Sequence, residues 1–106
     1  MSMDITEAAK SLEKLGHPNR LEIVKVLVQA GPEGLPVGAL QEHLGIPAST
    51  LSHHVAQLVS GDLIEQTRNG RVLTCTPNFT RIEALVGMLT ENCCSGITVK
   101  STDEAA

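Results

Sequence analysis

The sequence predicts a mainly α-helical domain carrying one β-hairpin, in the order α-α-α-α-β-β-α, and three observations predict it. Leu51, Val55 and Leu58 recur at i, i+4 and i+7, so the stretch from Gly45 to Leu58 reads as a helix with one narrow apolar stripe. A short helix expected from Val37 to Leu44 precedes it, and two short helices joined by a few residues containing Gly and Pro make a helix-turn-helix. After Gly61 the period switches to alternation, and Asn69-Gly70 between two alternating runs is a strong hairpin signal. A helix-turn-helix followed at once by a two-stranded hairpin is the winged-helix arrangement.

The remaining elements follow in order. Asp4-Ile5-Thr6-Glu7 has the spacing of a capping box, and the helix it opens places Ile5, Ala8, Ala9, Leu12 and Leu15 on one face before Gly16 stops it. His17-Pro18 opens a second helix with His17 as its cap and Pro at the first position. Leu21, Ile23, Val24, Val26, Leu27 and Val28 make that helix apolar on most sides, which predicts a central, buried position. A two-residue loop at Asn69-Gly70 sets Arg68 opposite Arg71, Gln66 opposite Leu73 and Ile64 opposite Cys75, with Cys75 pointing to the body of the domain. Pro77 ends the second strand, and Asn78 caps a last helix whose stripe is Phe79, Ile82, Leu85, Val86 and Leu89. Asn92-Cys93-Cys94-Ser95-Gly96 ends it. Residues 1–96 thus form one domain, and 97–106 form a short acidic tail expected to be disordered.

Composition narrows the function. With one Phe and neither Tyr nor Trp, the core is aliphatic and base stacking on aromatic platforms is excluded as the main binding mode. An odd count of three cysteines without a signal peptide speaks against a disulfide framework and for a reducing, cytoplasmic setting. No stretch approaches transmembrane length. The net charge of −4 weighs mildly against nucleic-acid binding, but the charge distribution is uneven: Glu42 is the only formal charge from Val37 to Gly61, and Arg68 and Arg71 follow at the hairpin tip. There is no carboxylate pair, no nucleophile–base constellation and no phosphate loop, so an enzyme is not expected.

The helix from Gly45 to Leu58 offers Ser49, Ser52, His53 and Ala56 opposite its stripe, with Thr50 and Gln57 beside them. Small hydrogen-bonding side chains on an exposed helix face suit a DNA major groove. The candidate DNA-binding residues are Ser49, Thr50, Ser52, His53, Gln57, Arg68 and Arg71. His54 lies nearer the buried stripe and is expected to be structural, satisfied by backbone. The helix starts at Pro47 or is capped by Ser49, and a capping Ser49 would spend its hydroxyl on the backbone.

Three segments resemble the ArsR/SmtB repressors of bacteria. Leu15-Gly16-His17-Pro18-Asn19-Arg20-Leu21-Glu22-Ile23 is similar to the family's L-x-[DH]-P-x-R-L-x-I entry to the second helix. Ser52-His53-His54-Val55-Ala56-Gln57-Leu58 resembles its S-H-H-L-x-x-L recognition helix, and Gly61-Asp62-Leu63-Ile64 with Arg68-Asn69-Gly70-Arg71 resembles its G-L-V strand and basic wing. The likeness spans roughly residues 5 to 94. It implies a homodimer whose first and last helices pack across the two-fold axis, through Ile5, Leu12, Ile82, Leu85 and Leu89. It also implies an inverted-repeat operator, read by two recognition helices and touched by the wing arginines.

Family members release DNA when a metal binds. The helix-3 thiol motif of many arsenic sensors is absent here, and so is the Asp/His set that zinc sensors carry on the last helix. Cys75, Cys93 and Cys94 remain as candidate metal ligands, and thiolates suit a soft centre. The implied inducer is trivalent arsenic, inorganic or methylated, with antimony(III) as a further candidate; no cofactor is expected for folding. Cys75 is either a third thiolate or a small core residue, and two thiolates alone would suit a monomethylated arsenic(III). A thiol redox or persulfide switch on the same DNA module is the alternative, and a protein-interaction winged helix is a further one.

Overall fold

The computed structural model describes residues 3–98 and has the element order α1 (Ile5–Leu15), α2 (Pro18–Ala30), β1 (Leu35–Pro36), α3 (Val37–Leu44), α4 (Ala48–Ser60), β2 (Ile64–Asn69), β3 (Val72–Pro77) and α5 (Phe79–Leu89). The expected tail lies outside the described residues apart from Ile97 and Thr98. Five helices and the hairpin wing stand where the periodicities put them, and α3 has the predicted bounds. Among the described residues no helix is long and apolar enough to cross a membrane.

One strand was not foreseen. Leu35–Pro36 pairs antiparallel with β3, giving a three-stranded sheet in the order β1-β3-β2. Two residues carry no readable period, and a proline belongs at a sheet edge because it cannot donate to a ladder. Gly34 makes this approach possible. Its φ is +68°, and a Cβ there would overlap the carbonyl oxygen of Cys75 at 1.9 Å.

The hairpin register differs from the expected one. Arg68 pairs with Leu73, Gln66 with Cys75 and Ile64 with Pro77, so the two-residue loop is Gly70-Arg71 rather than Asn69-Gly70. Gly70 holds φ +66° at the first loop position, as a type II′ turn requires, and Asn69 stays in the ladder opposite Val72. The shift moves each partner by two residues, so the same side chains still share a face.

The core is aliphatic: Ile23, Leu27, Leu40, Leu51, Leu58, Leu63 and Ile64 are fully buried, with Cys75 among them. α2 is less enclosed than its composition suggests. Ile23, Val24 and Leu27 face the core, whereas Leu21 and Val28 are exposed, because one helix stripe satisfies the contact with α4 and β3. Leu85 is buried in the protomer's own core and is therefore not part of a free outer face. Ile5, Leu12, Val86 and Leu89 are exposed, and Ile82 is half-buried.

The capping box at Asp4 does not form. Asp4 is the N-cap but makes no side-chain cap bond, and the Glu7 carboxylate instead lies 3.8 Å from the Arg81 guanidinium. Arg81 also donates to the Asp62 carboxylate at 2.9 Å, tying the start of α5 to the turn before β2. Asn78 does cap α5, accepting from the Arg81 backbone N–H at 3.1 Å. α5 ends at Leu89, earlier than expected, and the Asn92–Gly96 segment forms turns beyond it, with Asn92 at φ +60° and Cys94 at φ +64°.

Candidate nucleic-acid interface and thiol pair

Gly45 closes α3 in the left-handed region at φ +67°, and Ile46 and Pro47 carry the chain into α4. Pro47 is the N-cap, with no side-chain cap bond, so the helix begins one residue after it. Ser49 is within the first turn rather than capping it, and its hydroxyl stays on the surface. Leu51, Val55 and Leu58 are buried as the stripe required, and Ser49, Ser52, His53 and Ala56 are exposed opposite them.

Two members of the predicted reading set behave differently from the rest. Thr50 is half-buried on the flank of α4. Gln57 is also half-buried, and its Oε1 accepts from Lys14 Nζ of α1 at 2.7 Å. Its side-chain oxygen is thus engaged by α1. Ser49, Ser52 and His53 form the free polar surface of the helix.

Arg68 and Arg71 are exposed at the wing tip. With Val72 and Leu73 they line a shallow groove completed by Pro36, Val37 and Gly38 at the start of α3. Two guanidiniums beside a helix start make a positive surface suited to phosphate oxygens.

His54 is buried, and its Nδ1 accepts from Arg20 Nε at 3.1 Å, so a side chain rather than backbone satisfies it. Burial holds its imidazole below the ordinary histidine range, and the neighbouring His17, Arg20 and His53 add to the effect. His17 caps α2 as expected, its Nδ1 accepting from the Asn19 N–H at 3.1 Å. Arg20, Lys14 and the buried Ser11 are structural partners of α4 that the sequence reading passed over. A serine set among Ala8, Leu12 and Leu15 was the available signal for Ser11.

The three thiols separate into two environments. Cys75 is fully buried opposite Gln66, whose Nε2 lies 3.8 Å from the sulfur. Burial pushes this thiol up, partly offset by the Gln66 amide, so the thiolate needed for ligation is scarce. Cys93 and Cys94 are exposed after α5, with their sulfurs 3.2 Å apart. Among the described residues no three His, Cys, Asp or Glu side chains gather to hold a metal ion. The structure therefore brings Cys93 and Cys94 together and leaves Cys75 apart within one protomer.

A model of a helix-turn-helix domain matches residues 15–67, which covers half the chain and runs from the end of α1 into β2. The transcriptional repressor PagR of Bacillus anthracis is 28% identical over 87 residues, 82% of this chain and 85% of PagR. Among solved structures, the transcriptional repressor BigR of Xylella fastidiosa is similar, with a TM-score of 0.66 and 29% identity over 87% of this chain and 91% of BigR. The ArsR family regulator RHA00566 shares the fold, with a TM-score of 0.68 over 92% of this chain and 100% of that one at 23% identity. The chain belongs to the helix-turn-helix domain family and has the winged helix-turn-helix fold that these regulators share.

Proposed function

We propose that the protein is a homodimeric DNA-binding repressor that releases an inverted-repeat operator when a trivalent arsenical binds Cys93 and Cys94. The observation that carries the effector half is the 3.2 Å approach of two exposed sulfurs. Bonds of about 2.3 Å from sulfur to a thiophilic centre place two thiolates on one atom roughly 3.3–3.8 Å apart. The pair is thus spaced for shared ligation with little rearrangement. For a monomethylated arsenic(III), two As–S bonds replace two As–OH bonds, and each thiol proton leaves with a hydroxide as water. Inorganic arsenic(III) or antimony(III) would need a third donor, which the buried Cys75 does not offer in its present position.

The DNA half rests on the exposed Ser49, Ser52 and His53 of α4 and on Arg68 and Arg71 of the wing. Exposed Ile5, Leu12, Val86 and Leu89 on the two terminal helices support dimerisation through α1 and α5. The thiol pair follows α5 directly, so ligation there would bear on the helix that joins the protomers. The two ligands then oppose each other by a shared coupling free energy.

The test is fluorescence anisotropy on a duplex that the protein selects from a randomised library, with and without methylarsenite or arsenite. The expected result is weaker DNA binding in at least one arsenical. DNA binding indifferent to both would overturn the sensor reading. The same sulfur contact also favours a second reading, a reversible Cys93–Cys94 bridge formed by a peroxide or a persulfide donor. Mass spectrometry after either treatment would detect that bridge.

A further inference from the structure

The apolar stripe of α4 turns one face of the helix inward, and a polar joint on its flank adds side-chain contacts to α1 and α2. His54 is 6% exposed, and its Nδ1 accepts from Arg20 Nε. An accepting Nδ1 means a neutral ring with its proton on Nε2. Arg20 also donates from Nη1 to the backbone carbonyl of Lys14 at 3.3 Å, in the last turn of α1, where carbonyls lack helical partners. One guanidinium thus joins the end of α1, the first turn of α2 and the middle of α4. Lys14 adds a second tie through Gln57, one turn further along α4.

The titratable groups facing His54 are cationic or basic. The His17 ring, capping α2, stands 4.5 Å away; His53 of α4 itself stands 5.7 Å away. Arg20 comes from α2, while α1 contributes the Lys14 carbonyl that Arg20 also reaches, the Lys14 ammonium itself being turned to Gln57. None of these is a carboxylate that would welcome a second proton. Protonating Nδ1 would replace an acceptor with a donor facing a donor, beside a fixed positive charge. The neighbour of His54 on the chain, His53, lies on the exposed reading face.

We propose that Arg20 is a positioning residue for DNA recognition: acting through neutral His54, it sets the rotation of α4 that aims Ser49, Ser52 and His53 at the bases, and a proton on His54 releases it. The proposal rests on the DNA-binding part of the reading above and is independent of the arsenical part. Recognition side chains tolerate errors of only about 10–20° in orientation, so a hinge on this flank acts on affinity without a contact to DNA.

The experiment measures affinity for the selected duplex between about pH 7.5 and 5.5 at fixed ionic strength, in the wild type and in His54→Gln, His54→Leu and Arg20→Lys. Circular dichroism melts confirm that each variant is folded. Glutamine offers Arg20 an oxygen acceptor that does not titrate. The expected ratio of wild-type to His54→Gln affinity falls by about fivefold on acidification. At the higher pH, His54→Leu and Arg20→Lys are each expected to bind about tenfold more weakly, as for loss of one charge-assisted hydrogen bond, with His54→Gln close to wild type. A pH-independent ratio, or full affinity in folded His54→Leu, overturns the proposal while leaving DNA binding intact. A wild type that selects no duplex overturns the DNA reading and this proposal together.

Discussion

The Ser11 hydroxyl donates to the carbonyl oxygen of Gly61 across 2.9 Å, joining two residues fifty positions apart in a buried contact. Ser11 sits mid-way along α1, and Gly61 is the C-cap of α4, so the bond holds the first helix to the end of the recognition helix. Gly61 is needed for the approach, since a Cβ there would lie 2.9 Å from Lys14 Cβ and Cγ. Ser11→Ala leaves a buried carbonyl without this donor and is expected to cost about 1–3 kcal/mol. Urea unfolding at constant m-value measures it.

Gly34→Ala should be far more damaging. The new methyl would collide with the Cys75 carbonyl and would have to hold a positive φ, so β1 must detach from β3. A loss of about 3 kcal/mol or more is expected from the strain and the lost pairing. Gly70→Ala meets no neighbouring atom and keeps only the φ penalty, so it should cost about 1 kcal/mol. Equal losses in thermal melts of the two variants would contradict this ordering.

Much of the fold was legible because helical stripes and turn residues state their roles locally. Val37 to Leu44, the stripe of α4 and the caps at His17 and Asn78 needed no tertiary information. What was illegible depends on distant partners. Glu7 satisfies the spacing of a capping box, but its carboxylate lies beside an arginine that α5 delivers. Gln57 looked free on a helical wheel, yet α1 delivers Lys14 to it. The hairpin loop slipped because Asn69-Gly70 and Gly70-Arg71 both place a glycine where a two-residue turn accepts positive φ. At the candidate site, the exposure of Ser49, Ser52 and His53 followed from the stripe, whereas the full burial of Cys75 depends on how α2 and α3 pack against β3.

The wing arginines are expected to act as phosphate contacts. Replacing Arg68 and Arg71 by Ala should weaken binding across DNA sequences alike. Each lost contact should reduce the slope of log affinity against log salt by about 0.9. An unchanged slope with altered base preference would instead make them base readers.

Stability should depend on pH through His54. Its folded-state proton affinity is lowered by burial, so the unfolded chain takes up the proton first as pH falls. The contribution is present above the ordinary histidine value of about 6.5 and is lost as pH drops through the folded-state value. The His54→Gln variant should lose less stability over that acid window than the wild type does. Chemical denaturation at several pH values gives the comparison.

In the proposed function Cys93 and Cys94, and not Cys75, couple an arsenical to DNA release. The most direct measurement is the affinity of wild type, Cys93→Ser/Cys94→Ser and Cys75→Ala for the selected duplex, with and without methylarsenite. Methylarsenite is expected to weaken DNA binding of wild type and Cys75→Ala by about tenfold or more. The double serine variant is expected to bind DNA normally and to ignore the arsenical. A double variant that still responds, or a Cys75→Ala protein that stays folded and no longer responds, would contradict the proposed function.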